Sequence, residues 1–296
     1  MTLRIVFVGC VDLSHALLRH LLTVPEAQVV GVITKVRSAQ NSDFRSLEEL
    51  ATAACCPVLL SNGKDHEAVL QFIATVSPDV TYCFGWSHLL PAEVLAVTPL
   101  GAIGYHPAAL PANRGRHPIV WALALGLTET ASTFFQMEDD ADAGSILDQV
   151  PISVAPTDDA AALYENLAQA ACRQLGPLTA ALAANALTAT PQRKSDINTW
   201  RKRGHDDGKI DWRMSAQAIH DLVRALSRPY VGAHCEAAGE TVRVWRVELG
   251  PQAPANLEPG KVLEVADGSI LVKCWDRTVR LVEHEFGDLP QEGSYL

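Results

Sequence analysis

The segment Ile103-Gly104-Tyr105-His106-Pro107-Ala108-Ala109-Leu110-Pro111-Ala112-Asn113-Arg114-Gly115-Arg116-His117-Pro118 holds an imidazole early and a pair of guanidinium groups later. It follows an apolar run and is too rich in Pro, Gly and polar groups to be packed core. Such a stretch reads as an ordered loop leaving a strand, where α/β enzymes keep their chemistry. Further on, Met137-Glu138-Asp139-Asp140-Ala141-Asp142-Ala143-Gly144 supplies a dense carboxylate cluster. A His and an Asp delivered by two strand ends form an imidazole–carboxylate pair, the minimum set for polarising a carbonyl and managing a proton.

Residue types alone leave other readings open. A His before Pro also serves as a surface or capping residue, and Asp139 and Asp140 read as a solvated turn. Arg114, Arg116 and His117 either cap the following helix or bind an anion near its start. Trp86 is either core or a cofactor wall. Carboxylates suit hard cations, but this spacing fits no standard loop, so no metal site is expected.

The elements that must position these groups alternate in type. Leu3–Val8, Gln28–Ile33, Pro57–Leu60, Val80–Phe84, Ala102–Tyr105 and Ser132–Met137 are short apolar, β-rich runs. Ser14–Thr23, Glu48–Ala54, His66–Thr75, Pro91–Val97 and His117–Leu125 have helical spacing, and Asp158–Ala184 is one long Ala/Leu-rich helix. Strands alternating with helices imply βαβ units and a mainly parallel, Rossmann-like sheet with helices on both faces. Gly9 alone does not make the three-glycine dinucleotide fingerprint, so NAD is not expected.

Composition then shifts. Thr190–Lys209 is polar and charged and reads as an exposed connector. Beyond it come an amphipathic helix, Ser215–Leu226, and alternating segments between Gly turns over Gly232–Glu248 and Gly260–Glu285. That is the pattern of a small antiparallel sheet or barrel. The expected division is 1–189, a linker at 190–205, and 206–296.

The 296 residues suffice for one large or two moderate domains. With 48% hydrophobic and 20% charged residues, the chain has an ordinary globular composition. No apolar stretch reaches the roughly 18 residues that span a bilayer, so no membrane partner is expected. The first residues read as a strand and not as a signal peptide. Seven scattered cysteines without C-x-x-C spacing favour reduced thiols in a cytoplasm. The net charge of −10 argues against a broad nucleic-acid surface.

His106-Pro107-x-x-Leu110-Pro111-x-x-Arg114-Gly115 and Ala141-Asp142-Ala143-Gly144 resemble the catalytic loops of the formyltransferases that use N10-formyltetrahydrofolate. Asp207-Gly208-Lys209-Ile210-Asp211-Trp212 and Leu222–Ala233 are similar to the start of the C-terminal domain in the methionyl-tRNA and sugar formyltransferases. The resemblance covers nearly the whole chain in order and spacing. It implies a Rossmann-like catalytic domain followed by a small OB-like barrel. It also implies formyl-folate as co-substrate, and an amino group, on a nucleotide-linked sugar, as acceptor. The stretch Thr34–Ser46, with Lys35, Arg37 and Arg45 against Asp43, is short where the tRNA branch carries a long basic insertion. Methionyl-tRNA, a hydroxyornithine-type amine, and a folate-binding relative with little turnover are the alternatives. A homodimer is expected by the same analogy.

The resemblance carries roles onto residues. His106 and Asp142 are the expected catalytic pair. Phe84, Gly85, Trp86, Ser87, His88, Leu89 and Leu90 line the pterin, partly through backbone groups, and Glu138, Asp139 and Asp140 close over it. Tyr105, Pro107, Asn113, Arg114 and Arg116 face the acceptor. Gly104 stands where the family has an Asn whose amide also holds the formyl oxygen. A water, a backbone N–H or a nearby amide such as Asn113 must then replace it, or turnover falls. Asn substituted at Gly104 is expected to be tolerated in folding.

Overall fold

The computed structural model describes residues 2–38 and 42–296. Residues 39–41, part of the short stretch noted after the second strand, lie outside the described residues. In chain order the elements are β1 (Leu3–Val8), α1 (Asp12–Leu21), β2 (Ala27–Thr34), α2 (Glu48–Ala53), β3 (Val58–Leu60), α3 (His66–Val76), β4 (Val80–Cys83), α4 (Ala92–Leu95) and β5 (Ala102–His106). Then come β6 (Arg114–Gly115), α5 (Pro118–Ala124), β7 (Glu129–Gln136), β8 (Ile146–Ser153), α6 (Ala160–Ala183), β9 (Thr199–Trp200) and α7 (Ala216–Leu226). The last strands are β10 (Ala233–Ala237), β11 (Glu240–Leu249), β12 (Val262–Ala266), β13 (Ser269–Lys273) and β14 (Thr278–His284).

Contacts divide the chain into two compact units, one of residues 1–118, 130–152 and 165–200, the other of 119–129, 153–164 and 201–296. In the first, a seven-stranded sheet runs β3-β2-β1-β4-β5-β7-β8. β1, β2, β3, β4 and β5 are parallel, and β7 joins β5 antiparallel. The expected mainly parallel sheet is present.

Side-chain alternation along these buried strands assigns two faces. Val6, Val8, Ile33, Cys83 and Ala102 share one core cluster with Val69, Ile73 and Val76 of α3 and Val94 and Leu95 of α4. On the other face lie the fully buried rings of Phe7, Tyr82, Phe84 and Phe134. Phe84 meets Phe7 and Phe134 edge-on, with centroids 5.5 and 5.2 Å apart. α6 covers this face: Tyr82 Oη and Thr179 Oγ1 lie 3.1 Å apart. β8 was not expected. It carries Pro151 and a polar, half-exposed pattern, features tolerated on an edge strand and absent from central ones.

In the second unit β10 to β14 form an antiparallel sheet in the order β10-β11-β14-β13-β12. The amphipathic helix is α7. Ser215 caps it, its hydroxyl accepting from Ala218 N at 3.2 Å, and Asp276 takes the Ala216 N–H at 2.8 Å. Among the described residues no helix is long and apolar enough to cross a membrane.

Candidate active site

β5 ends in His106, and its alternation puts Ala102, Gly104 and His106 on the α3/α4 side of the sheet. His106 is buried at 5% exposure. Its Nε2 lies 2.8 Å from the Asn113 carbonyl oxygen, which only accepts, so Nε2 carries the proton of that bond. Nδ1 faces Asp142 Oδ1 at 3.8 Å. That is too long for a hydrogen bond and close enough for charge to be felt. Asp142 Oδ2 accepts from the Gly115 N–H at 2.9 Å. Two loops far apart in sequence thus meet as a His–carboxylate pair.

Both loops hold strained backbone. Asn113, His117 and Asp142 have φ of 64°, 57° and 56°, in the left-handed region that side chains rarely adopt and Asn and Asp tolerate best. Strain of this kind persists only where its surroundings impose it. The surroundings come from the stretch after α6. Gln192 donates from Nε2 to the Asp142 and Gly144 carbonyls at 2.8 and 2.7 Å. Its Oε1 accepts from Arg114 Nε and Nη2 at 3.1 and 2.5 Å. Asn198 Oδ1 takes the Asn113 N–H at 2.7 Å, and β6 pairs with β9 through Arg114↔Thr199 and Gly115↔Trp200. Most residues in the first half of the expected linker are exposed and Gln192 is half-buried, and the segment is bonded to the site. Gln192 and Asn198 escaped sequence reasoning because a polar residue in a polar stretch carries no sign of its partner.

The other expected site residues divide. Phe84 is core: its ring is fully buried, its N–H donates to Val8 O and its carbonyl accepts from Ser14 Oγ at 2.6 Å. Its ring and both of its main-chain groups are engaged in the core. Tyr105 also points away from the site. Its ring packs on Phe134 at 5.0 Å, its hydroxyl is within 3.1 Å of Ser132 Oγ, and burial pushes its phenol well up. Arg114 is committed to Gln192, whereas Arg116 is exposed and reaches the Ser87 carbonyl at 3.3 Å. Pro107 is half-buried, its carbonyl accepting from Thr130 Oγ1 at 3.4 Å.

Gly104 pairs with Phe135 across β5 and β7, and that ring occupies the space a side chain would need. A β-carbon there would fall 2.7 Å from Phe135 Cζ and 2.9 Å from Met137 Cγ. The expectation that Asn is tolerated at this position is therefore corrected: the core has closed over the missing side chain.

The loop from Gly85 to Leu90 follows β4. Gly85 has φ +70°, and a β-carbon on it would meet Val11 Cγ2 at 2.3 Å. Among the described residues no hydrogen bond engages the main chain of Trp86, His88, Leu89 or Leu90. Leu89 is exposed and Leu90 buried, while Glu138, Asp139 and Asp140 are exposed. Among the described residues no cluster of His, Cys, Asp and Glu is arranged to hold a metal ion.

The profile of the formyl transferase family matches residues 3–176, and that of the formyl transferase C-terminal domain matches residues 203–291. Among solved structures, HypX from Aquifex aeolicus in complex with tetrahydrofolic acid superposes with a TM-score of 0.67 at 16% identity, over 96% of this chain. This chain spans 44% of HypX, less than half its length. The N-formyltransferase from Helicobacter canadensis, in complex with folinic acid and dTDP-3-aminofucose, is 14% identical with a TM-score of 0.71, over 96% of this chain and 100% of that one. A 4-N formyltransferase from Francisella tularensis is 17% identical with a TM-score of 0.67, over 82% of this chain and 96% of that one. At these identities the likeness is one of fold.

Proposed function

The chain belongs to the formyl transferase family, and from that premise we propose that it moves a formyl group from N10-formyltetrahydrofolate to the amino group of a nucleotide-linked amino sugar. The observation that carries this reading is the pairing of His106 with Asp142 at the end of β5. The donor is supported by the folates bound to HypX and to the Helicobacter enzyme. The acceptor is supported by the dTDP-3-aminofucose bound to the latter, by the acidic net charge, and by the short stretch after β2.

The unused main-chain groups of Trp86, His88, Leu89 and Leu90 suit a pterin, whose edge alternates donors and acceptors. An unprotonated amine attacks the formyl carbon, and the carbonyl electrons move to oxygen. Collapse then breaks the bond to N10, which takes up a proton. The Nε2–H that His106 gives to Asn113 is shared with the developing oxyanion, a hydrogen bond worth about 3–4 kcal/mol when well placed. Asp142 accepts the proton shed by the amine, directly or through water. No amide at position 104 assists. The Asn113 side chain, which has no hydrogen bond among the described residues and belongs to the residue whose carbonyl holds His106, takes that part. The carbon chemistry belongs to the folate; the protein supplies placement and charge.

The test is a mass-spectrometric screen of nucleotide-linked amino sugars with and without formyl donor. A formylated sugar that requires the donor supports the proposal. Formylation of methionyl-tRNA or a hydroxyornithine-type amine instead would replace the acceptor, and folate binding without turnover on any amine would overturn the transferase reading. We further propose a cytoplasmic homodimer, as sugar formyltransferases commonly pair; light scattering showing a monomer at micromolar concentration would refute the dimer.

A further inference from the structure

We infer that Lys35 and Trp86 form an oxyanion-binding subsite, which receives a phosphate oxygen of the acceptor's diphosphate or a carboxylate of the donor's glutamate tail. The two sources follow from the proposed reaction, so this inference rests on that reading; the binding chemistry does not.

Lys35 immediately follows β2 and is only 4% exposed. Its ammonium lies over the Trp86 ring, 4.9 Å from the centroid. Among the described residues no carboxylate forms an ion pair with it. Burying a charge without a counter-charge is costly, and such groups normally find a partner. Directly beneath it, Trp86 Nε1 is buried and lacks any acceptor. Two other indoles are satisfied: Trp121 Nε1 donates to the Arg201 carbonyl at 3.0 Å and Trp245 Nε1 to Glu285 at 2.9 Å. An ammonium without an anion and an N–H without an acceptor therefore share one place, and both lack the same thing.

The surroundings agree. The His88 ring is 6.1 Å from that of Trp86, and it packs so closely on Gly63 that a β-carbon there would be 2.4 Å away. Burial first, and then the charges of Lys35, Lys64, Arg116 and His66, hold the His88 imidazole below its ordinary value. The side chains whose charge depresses it are all basic. Position agrees too. β2 and β4 flank β1, where the strand order reverses, and ligands of open α/β sheets bind in the crevice at such a reversal. Lys35 and Trp86 reach it from its two sides.

Calorimetric titration of Lys35→Met, Lys35→Arg and Trp86→Phe tests the subsite. The probes are dTDP, inorganic pyrophosphate, 5-formyltetrahydrofolate, and tetrahydropteroate, which lacks the glutamate. Lys35→Met should weaken one anionic class by about ten- to a hundredfold, the span of a charge-assisted hydrogen bond, while Lys35→Arg retains most of the affinity. Loss confined to dTDP and pyrophosphate identifies the phosphate. Loss for 5-formyltetrahydrofolate with tetrahydropteroate unchanged identifies the tail. Trp86→Phe keeps a smaller aromatic ring under Lys35 and removes the N–H, so it should show a smaller loss on the same probe. If Lys35→Met fails to fold, the Trp86→Phe result and the salt dependence of wild-type binding decide. Affinities unchanged within about twofold for every probe would overturn the subsite. Lys35-dependent anion binding in a protein that formylates no amino sugar would leave the subsite standing and overturn the proposed function.

Discussion

The Phe135 ring lies across Gly104, close enough that a β-carbon on Gly104 would sit 2.7 Å from Phe135 Cζ. Phe135 is itself only 4% exposed, so neither partner has room to yield. Gly104→Ala should lose about 1–3 kcal/mol through overpacking and Gly104→Asn at least as much. Both should be restored in part by Phe135→Leu in a double variant. Thermal melts of the singles and the double check this; a Gly104→Ala protein that melts with the wild type would show that the ring moves aside freely.

His106→Ala and Asp142→Asn should each cut formyl transfer by roughly a hundredfold or more, the scale of losing an oxyanion donor or its charge partner. Folate binding should persist, because neither side chain is part of the Gly85–Leu90 loop. Single-turnover rates and donor titrations separate the two effects. Near-normal rates in either variant would remove that residue from the chemistry.

Gln192→Ala should slow turnover although Gln192 is outside both catalytic loops. The substitution leaves the Asp142 and Gly144 carbonyls and the Arg114 guanidinium without their shared partner, a loss of about 1–3 kcal/mol for buried polar groups. The fall should be in kcat more than in the affinity for donor, since it is the aim of Asp142 that is loosened. Unchanged kinetics would mean the strained loop holds itself.

Burial pushes the thiol of Cys10 up to about 11 and those of Cys83 and Cys235 to about 12, and the Tyr82 phenol to about 12. In the unfolded chain a thiol ionises near about 8.5 and a phenol near about 10. Above those values the folded state holds more protons than the unfolded one, so stability falls as pH rises, from about 8.5 towards 12. The melting temperature should decline through that alkaline window. At pH 8 iodoacetamide should label exposed Cys55 while sparing Cys10 and Cys83. Labelling of Cys10 in the folded protein at a rate like that of Cys55 would contradict its burial.

The parallel strands and their helices were legible because burial on both faces writes continuous apolar runs that few other arrangements produce. The approach of His106 to Asp142 could be anticipated because the spacing of the two motifs that carry them is distinctive. What escaped was whatever depends on a partner remote in sequence. Phe84 and Tyr105 sit beside loop residues yet turn inward, since alternation along a strand sends neighbours to opposite faces. The fit of Phe135 over Gly104 needs the β5–β7 register, which no local pattern encodes. Gln192 and Asn198 look like solvated linker residues until the chain returns on itself.

Gln192 ties the loop carrying Asp142 to Arg114, and β9 pairs with β6, so the smallest excisable piece that keeps the His106–Asp142 geometry ends at Trp200 and not at the close of α6. A chimera cut at residue 189 would carry every side chain assigned to the chemistry and still lack the brace that sets their aim. One cut after Trp200 would keep it. For anyone exchanging the C-terminal part between relatives of this fold, the joint to cut is therefore eleven residues further on than composition suggests, counting from 189 to 200.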